Sequence, residues 1–277
     1  MRRIVLFTTL LLSALLMWAD DSYRFQTLTT ADGLSSSTVK CMLIDNRGFL
    51  WIGTDEGLNL YDGYKVEAFG QQHDAPKLME GIAELQEDAQ GNVWIDCEDS
   101  YIIYDTNTRT LINDVPAMLK GLGVDVGEQP YKVKVDDTGS LWILQPGRLF
   151  RYDWQSGRAE SWKNANFDTG DVNFYACTAT HETMLIAGKQ GVWQFVRSTG
   201  RMEPLALPQE MQRKDNIYGT FIDTDRTLWV FSIIDECICR YSVGGKIIKE
   251  MLRLPSEGTD ESKNNAIRDM MDDGQGN

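Results

Sequence analysis

A repeat constrains this chain more than any other feature. A turn of the form Asp-x-x-Gly-x-x-Trp occurs as Asp45 to Trp51, Asp88 to Trp94 and Asp136 to Trp142. Asp223 to Trp229 keeps the Asp and the Trp but has Arg226 for Gly, and Thr180 to Ile186 keeps only the spacing and an apolar end. The Trp-equivalent positions are then 51, 94, 142, 186 and 229, at intervals of 43, 48, 44 and 43 residues. A period of this length marks a small supersecondary unit that cannot bury both its faces alone and must stack on copies of itself.

Each unit reads as four short strands. In the first, Thr38 to Ile44 alternates, Asn46-Arg47-Gly48 turns, Phe49 to Thr54 returns, Gly57 to Tyr61 follows a tight turn, and Tyr64 to Phe69 closes. Gly48, Gly91 and Gly139 supply the positive φ that such a turn needs, and the preceding Asp can accept hydrogen bonds from the turn's own amides. Trp51, Trp94, Trp142 and Trp229 put a large apolar surface at one repeated place, which predicts burial between neighbouring sheets. About ten residues after each comes a second aromatic: Tyr61, Tyr104, Tyr152, Phe195 and Tyr241. Asp follows three of these, as Asp62, Asp105 and Asp153. The expected fold is therefore all-β: a β-propeller of four-stranded blades, with about five blades plus partial ones. The repeats fall at about 35–75, 76–120, 121–167, 168–210 and 211–255. A sixth begins at 264–277, where Ala266 to Met271 reads as a first strand and Asp273 to Gly276 as another Asp-x-x-Gly turn.

Charge and leader narrow the function. With 27 Lys plus Arg against 41 Asp plus Glu, the formal net charge is −14, which repels nucleic acid. Arg2 and Arg3 precede an apolar run from Ile4 to Trp18, so residues 1–19 read as a secretory signal peptide and 20–277 as an exported domain. Met17 is a poor residue at the −3 position, which leaves a retained anchor open. Cys41, Cys97, Cys177, Cys237 and Cys239 lack any zinc or paired-disulfide spacing and read as buried thiols. His73 and His181 fall in connections and read as surface residues.

Ala31-Asp32-Gly33-Leu34-Ser35, Gly48 to Thr54 and Gly57 to Gly63 resemble the two-component regulator propeller repeat. Proteins built on that repeat are periplasmic sensors of hybrid two-component systems. The resemblance implies a longer protein with seven-bladed propellers, an inner-membrane anchor, a histidine kinase and dimerisation, of which this chain is an N-terminal part and an incomplete ring. No kinase motif can be placed in the chain itself.

An enzyme needs a distinguished set of groups, and none stands out. The prominent carboxylates are explained by turn geometry, which leaves no pair for glycoside hydrolysis. Asp223-Thr224-Asp225 lacks the Gly and Glu of a calcium loop, so neither metal nor cofactor is expected. Flat aromatics outside the repeat register suit sugar rings, which makes Trp154 and Trp162 the candidate ligand contacts, with packing of a fourth strand as the alternative. The expected function is periplasmic sensing of an oligosaccharide, without catalysis by this chain. A secreted lectin or scaffold is the alternative, and a propeller glycosidase or lyase comes third.

Overall fold

The computed structural model describes residues 27–69, 78, 81–97, 100–163, 176–188, 191–212, 218–223, 225, 227–232, 237–241 and 247–253. The leader at 1–19, His73 and the sixth repeat at 264–277 lie outside these residues.

Five four-stranded antiparallel sheets follow one another along the chain, each a simple meander. Blade one is β1 (Val39–Ile44), β2 (Leu50–Thr54), β3 (Gly57–Tyr61) and β4 (Val66–Phe69). Blade two is β5 (Glu84–Glu87), β6 (Val93–Asp96), β7 (Tyr101–Asp105) and β8 (Thr110–Ile112). Blade three is β9 (Lys132–Val135), β10 (Leu141–Gln145), β11 (Arg148–Asp153) and β12 (Arg158–Lys163). Blade four is β13 (Ala176–Ala179), β14 (Thr183–Gly188), β15 (Gly191–Val196) and β16 (Arg201–Pro204). Blade five is β17 (Tyr218–Ile222), β18 (Leu228–Ser232), β19 (Cys237–Tyr241) and β20 (Ile247–Arg253). The first strand of each blade lies against that of the next, in the order β1, β5, β9, β13, β17.

The Asp-x-x-Gly-x-x-Trp turn is a hydrogen-bonded unit. Asp45 Oδ1 accepts from the amides of Arg47 and Phe49, both at 3.0 Å, while its Oδ2 accepts from the Trp51 indole at 3.0 Å. The same indole bond recurs from Trp94 to Asp88, Trp142 to Asp136 and Trp229 to Asp223, at 2.9, 3.0 and 2.8 Å. A buried indole N–H must find an acceptor, and here the turn carries one. Gly139 serves twice, since its φ is +74° and a Cβ there would lie 2.5 Å from the Ala89 backbone nitrogen. That close approach lets the Ala89 amide donate to the Gly139 carbonyl at 2.9 Å, joining blades two and three.

Trp51, Trp94 and Trp142 are fully buried, and each faces the following blade. Trp51 meets Tyr104 with ring centroids 5.0 Å apart, Trp142 meets Phe195 at 5.8 Å, and Trp94 shares a cluster with Tyr152. The second recurrent aromatic thus faces backward to the Trp of the preceding blade. Trp229, expected to be buried like the others, is only half-buried. It faces the far side of blade five, where the described residues include no further sheet, and the Arg240 guanidinium lies over its ring. Tyr61 is half-buried for the mirror-image reason, on the near side of blade one, where Met42 and Ile44 stand 66% and 69% exposed.

Blade four corrects the repeat register. The Thr180 amide donates to the Thr183 carbonyl, whereas in blade one the Asp45 amide donates to Phe49. The turn is one residue shorter, so Leu185, opposite Thr178, takes the place that Trp51 takes opposite Leu43. Ile186, expected there from spacing, points the other way, into the cluster with Trp142 and Phe195. A shift of one residue reverses the face of a strand residue.

The long interval of 48 residues between Trp94 and Trp142 holds a helix that the repeat does not announce, α1 (Val115–Gly121). Asp114 caps it by accepting from the Ala117 amide at 3.0 Å, and Pro116 sits in its first turn. Val115 and Leu119 are buried in the cluster between blades two and three.

The Asp that follows the second aromatic closes the β3–β4 type of turn. Asp62 accepts from Tyr64 and Lys65, Asp105 from Asn107 and Thr108, and Asp153 from Ser156. In Asp153 the Ser156 amide, aided by Arg151 and opposed by slight burial, pulls the carboxyl down to about 2.

Two outcomes follow. Urea unfolding should show Trp142→Ala to cost about 3 to 5 kcal/mol, as for a fully buried large side chain, and Trp229→Ala distinctly less; equal losses would refute the difference in burial. A depressed carboxyl stabilises the fold above its unfolded pKa, and that contribution disappears as pH falls through the folded value. NMR titration should therefore place the Asp153 carboxyl near 2 rather than the ordinary ~3.9, and Asp153→Asn should remove part of the stability lost between those values.

Candidate functional site

A meander puts unlike connections at its two ends. The Asp-x-x-Gly turns and the Asp62, Asp105 and Asp153 turns share one end of the blades. The turns between second and third strands, and the connections from blade to blade, share the other. At the first end most turn acceptors and donors are matched, although the Trp154 indole nitrogen beside the Asp153 turn is buried without a partner. The Asn46 amide reaches the Glu87 carboxylate at 2.9 Å, the His181 amide reaches Asp137 at 2.6 Å, and Arg151 is sunk between Asp136 and Asp153. His181, expected at the surface, is half-buried, because its ring also lies 3.2 Å from Asp137 in the turn of blade three.

The second end is polar in a different way. Four of the five second strands finish there on a buried polar residue: Thr54, Asp96, Gln145 and Ser232. Thr54 Oγ1 lies 2.8 Å from Ser35 Oγ and donates to the Gly57 carbonyl, so the segment before β1 is pinned across blade one. Asn59 completes that joint by accepting from the Ser35 amide at 2.9 Å. Asp96 Oδ2 accepts from the Tyr101 hydroxyl and the Lys132 ammonium, both at 3.0 Å. Its Oδ1 is buried with no partner. Lys134 pairs with Glu84, and the Gln86 amide bridges the backbone of Val133 and Val135, so charge and side-chain amides stitch blade two to blade three.

Beside this seam a cavity of about 290 Å³ opens between the β10–β11 turn and the connection after α1. Asp125 to Gln129, Gln145 and Arg148 line it. Gln145 holds the wall by donating to the Val126 carbonyl at 2.8 Å. Pro146-Gly147 makes the two-residue turn, with Gly147 at φ +68°. Arg148 rests its guanidinium over the Phe150 ring, 4.8 Å from the centroid, and its Nε is buried without a partner. Unpartnered buried polar atoms are rare in native structures. Asp55 Oδ1, Asp96 Oδ1 and Arg148 Nε all lie at this one end.

The aromatic pair suggested by the sequence does not assemble here. Trp162 stacks on Trp142 at 5.8 Å and meets Phe195 edge-on at 5.0 Å, between blades three and four. Trp154 packs edge-on against Tyr152 at 4.9 Å, on the blade-two side of the same sheet. Both are half-buried on opposite faces and form no common platform. Arg148 and Gln145 went unmarked in the sequence because they do not repeat. The one local signal was Pro146-Gly147 replacing the acidic turn of blade one.

For chemistry, the described residues offer little. Burial, with Glu84 nearby, pushes the Cys41 thiol up to about 12, far from a nucleophilic thiolate. Among the described residues, no cluster of three His, Cys, Asp or Glu side chains could hold a metal ion. No helix among them is long and apolar enough to cross a membrane.

Comparisons with known proteins agree with this architecture. Histidine kinase P4 of Formosa agariphila is 38% identical over 72 residues, which is 25% of this chain and 5% of that protein. The extracellular domain of the hybrid two-component system BT4673 from B. thetaiotaomicron superposes with a TM-score of 0.55 at 19% identity, over 78% of this chain and 28% of that one. Virginiamycin B lyase from Staphylococcus aureus superposes equally, with a TM-score of 0.55 at 14% identity, over 80% of this chain and 71% of that one. At such identities the two superpositions speak for the propeller fold alone. Residues 33–56, from the pinned leading segment through Asp45 and Trp51 to the first β2–β3 turn, match the family model of the two-component regulator propeller. The chain is a β-propeller whose residues 33–56 match the two-component regulator propeller repeat.

Proposed function

We propose that this propeller is the ligand-recognising part of a hybrid two-component sensor, working outside the cytoplasmic membrane on an oligosaccharide. The observation that carries the reading is the division of the molecule. One end of the blades is built of turns closed by their own hydrogen bonds, and the other gathers four buried polar strand ends, the unpartnered Asp55, Asp96 and Arg148 atoms and a cavity. Catalysis would need groups converging on a reacting atom, whereas recognition needs only donors and acceptors held rigidly. The two-component repeat at residues 33–56 supports the same choice. Export by the leader, the kinase that answers the ligand, and dimerisation of the whole protein belong to this proposal.

The fold shared with virginiamycin B lyase motivates a second reading, lyase chemistry. Against it stands the placement of the described titratable groups. His181 lies at the end opposite the cavity and is held by Asp137, and the carboxylates of the Asp-x-x-Gly turns are engaged by their own amides and indoles.

Thermal unfolding in the presence of a panel of soluble oligosaccharides separates the readings. A ligand at a hundredfold its Kd adds about 2.7 kcal/mol of stability, so one class of oligosaccharide should raise Tm by several degrees with no change in the sugar. Turnover of an oligosaccharide, or of a streptogramin with no oligosaccharide binding, would overturn the sensor reading.

A further inference from the structure

The cavity on blade three specifies more than a generic polar ligand. The geometry points to a carboxylate-binding subsite in which Arg148 receives the acid group of a hydroxylated ligand such as a uronic acid. This inference rests on the ligand-recognition reading above and narrows it.

The argument begins with what Arg148 lacks. Elsewhere in the described blades Arg151 is paired with Asp136 and Asp153, Arg197 with Glu160, and the exposed Arg47 with Asp45. Arg240 lies over Trp229 on the open side of blade five, and its Nε is likewise buried without a partner. Arg148 differs in lining the cavity at the second end, with its Nε buried and no hydrogen-bond or carboxylate partner among the described residues. A guanidinium is always charged, and burying one of its donors unpaired is costly. Its planar fork matches a carboxylate through two parallel hydrogen bonds. The Phe150 ring, 4.8 Å from the guanidinium carbon, supports the fork and reduces the ordering left to be done on binding.

The rest of the lining suits hydroxyl groups. Gln145 is buried, and its amide is spent on the carbonyls of Val126 and Gln129, which makes the wall rigid. Asp125 is already occupied: its Oδ1 accepts from the Gly127 amide at 3.2 Å, and Lys120 lies 3.9 Å from its Oδ2. Its charge is thus partly offset and does not cancel Arg148. Glu128 and Gln129 remain at the exposed rim as acceptors for ligand hydroxyls. At ~30 Å³ per water, a space of about 290 Å³ holds one pyranose ring with its substituents.

Calorimetric titration of the 277-residue chain with a galacturonate disaccharide, the corresponding neutral galactose disaccharide and acetate tests this directly. The uronate should bind at least tenfold more tightly than the neutral sugar. Acetate alone should be weak, because it makes no rim contacts. Arg148→Gln should abolish most of the uronate preference while leaving the neutral sugar unchanged. Arg148→Lys, which keeps charge without the fork, should recover only part of it. Unfolding curves of both variants should match the parent, since Arg148 makes no ion pair whose loss would loosen the blade. Equal binding of both sugars, or uronate binding indifferent to Arg148→Gln, would overturn the subsite while leaving the sensor reading intact. Failure of both sugars to bind would also overturn it, and the oligosaccharide panel would then decide the sensor reading separately.

Discussion

In four of the five blades a single Asp carboxylate joins the turn to the core. One oxygen takes amides from the turn it starts, and the other takes the indole N–H of a Trp six residues on. Without the carboxylate, a buried indole donor has no partner, while the oxygen that takes the indole also accepts from Arg47 in blade one, Asn92 in blade two and Arg151 in blade three. Blade four shows the dependence, because there the pair is lost as a pair. Thr180 replaces the Asp, the turn shortens by one residue, and Leu185 fills the Trp site with an aliphatic side chain that asks for no acceptor. The environments also differ in charge. Burial lifts the Asp88 carboxyl above its ordinary range despite Trp94 and Asn92, whereas in Asp45 the bonds from Arg47 and Trp51 overcome burial and hold it below.

The same Trp that is tied backward to its turn is the forward contact to the next blade. In the first three interfaces it lies with the recurrent aromatic of the next blade, in ring contact at the first and third, and Leu185 takes its place at the fourth. Turn-to-turn bonds such as Ala89 to Gly139 run alongside. Stability in such an array comes from interfaces as much as from blades. The half-buried Trp229 and Tyr61 mark the two faces for which the described residues supply no partner blade.

Most of this scaffold was legible in the sequence because it repeats. The strands of blade one, the burial of Trp51, Trp94 and Trp142, and the recurrence of a second aromatic follow from period and alternation, whereas the backward direction of that aromatic came from the structure. Two features escaped for physical reasons. A turn one residue shorter leaves spacing almost unchanged and yet reverses every side chain after it, which is why Ile186 was read in the place of Leu185. The helix α1 sits in a stretch between repeats, where the long interval announces an insertion but not its shape. The site was less legible still. Trp154 and Trp162 drew notice as aromatics out of register, and both turned out to fill the flanks of blade three. Arg148, by contrast, is an ordinary residue in sequence, and only its place at the cavity with a buried, unpartnered Nε distinguishes it.

That asymmetry explains how the chain can match a family and still keep its ligand hidden. The matched residues 33–56 enclose the Asp45 turn, Trp51 and the Ser35–Thr54 joint, all of which build the blade. Residues that build the blade answer to the geometry of stacking, which recurs from blade to blade. The cavity residues, which on the proposed reading answer to a ligand, lie on the opposite end and are tied to the scaffold through Gln145 and the β10–β11 turn. Changing them leaves the aromatic interfaces untouched, so one scaffold can carry many specificities. A search by repeat therefore finds the holder, and the identity of what is held must be read from the unpaired groups at the other end.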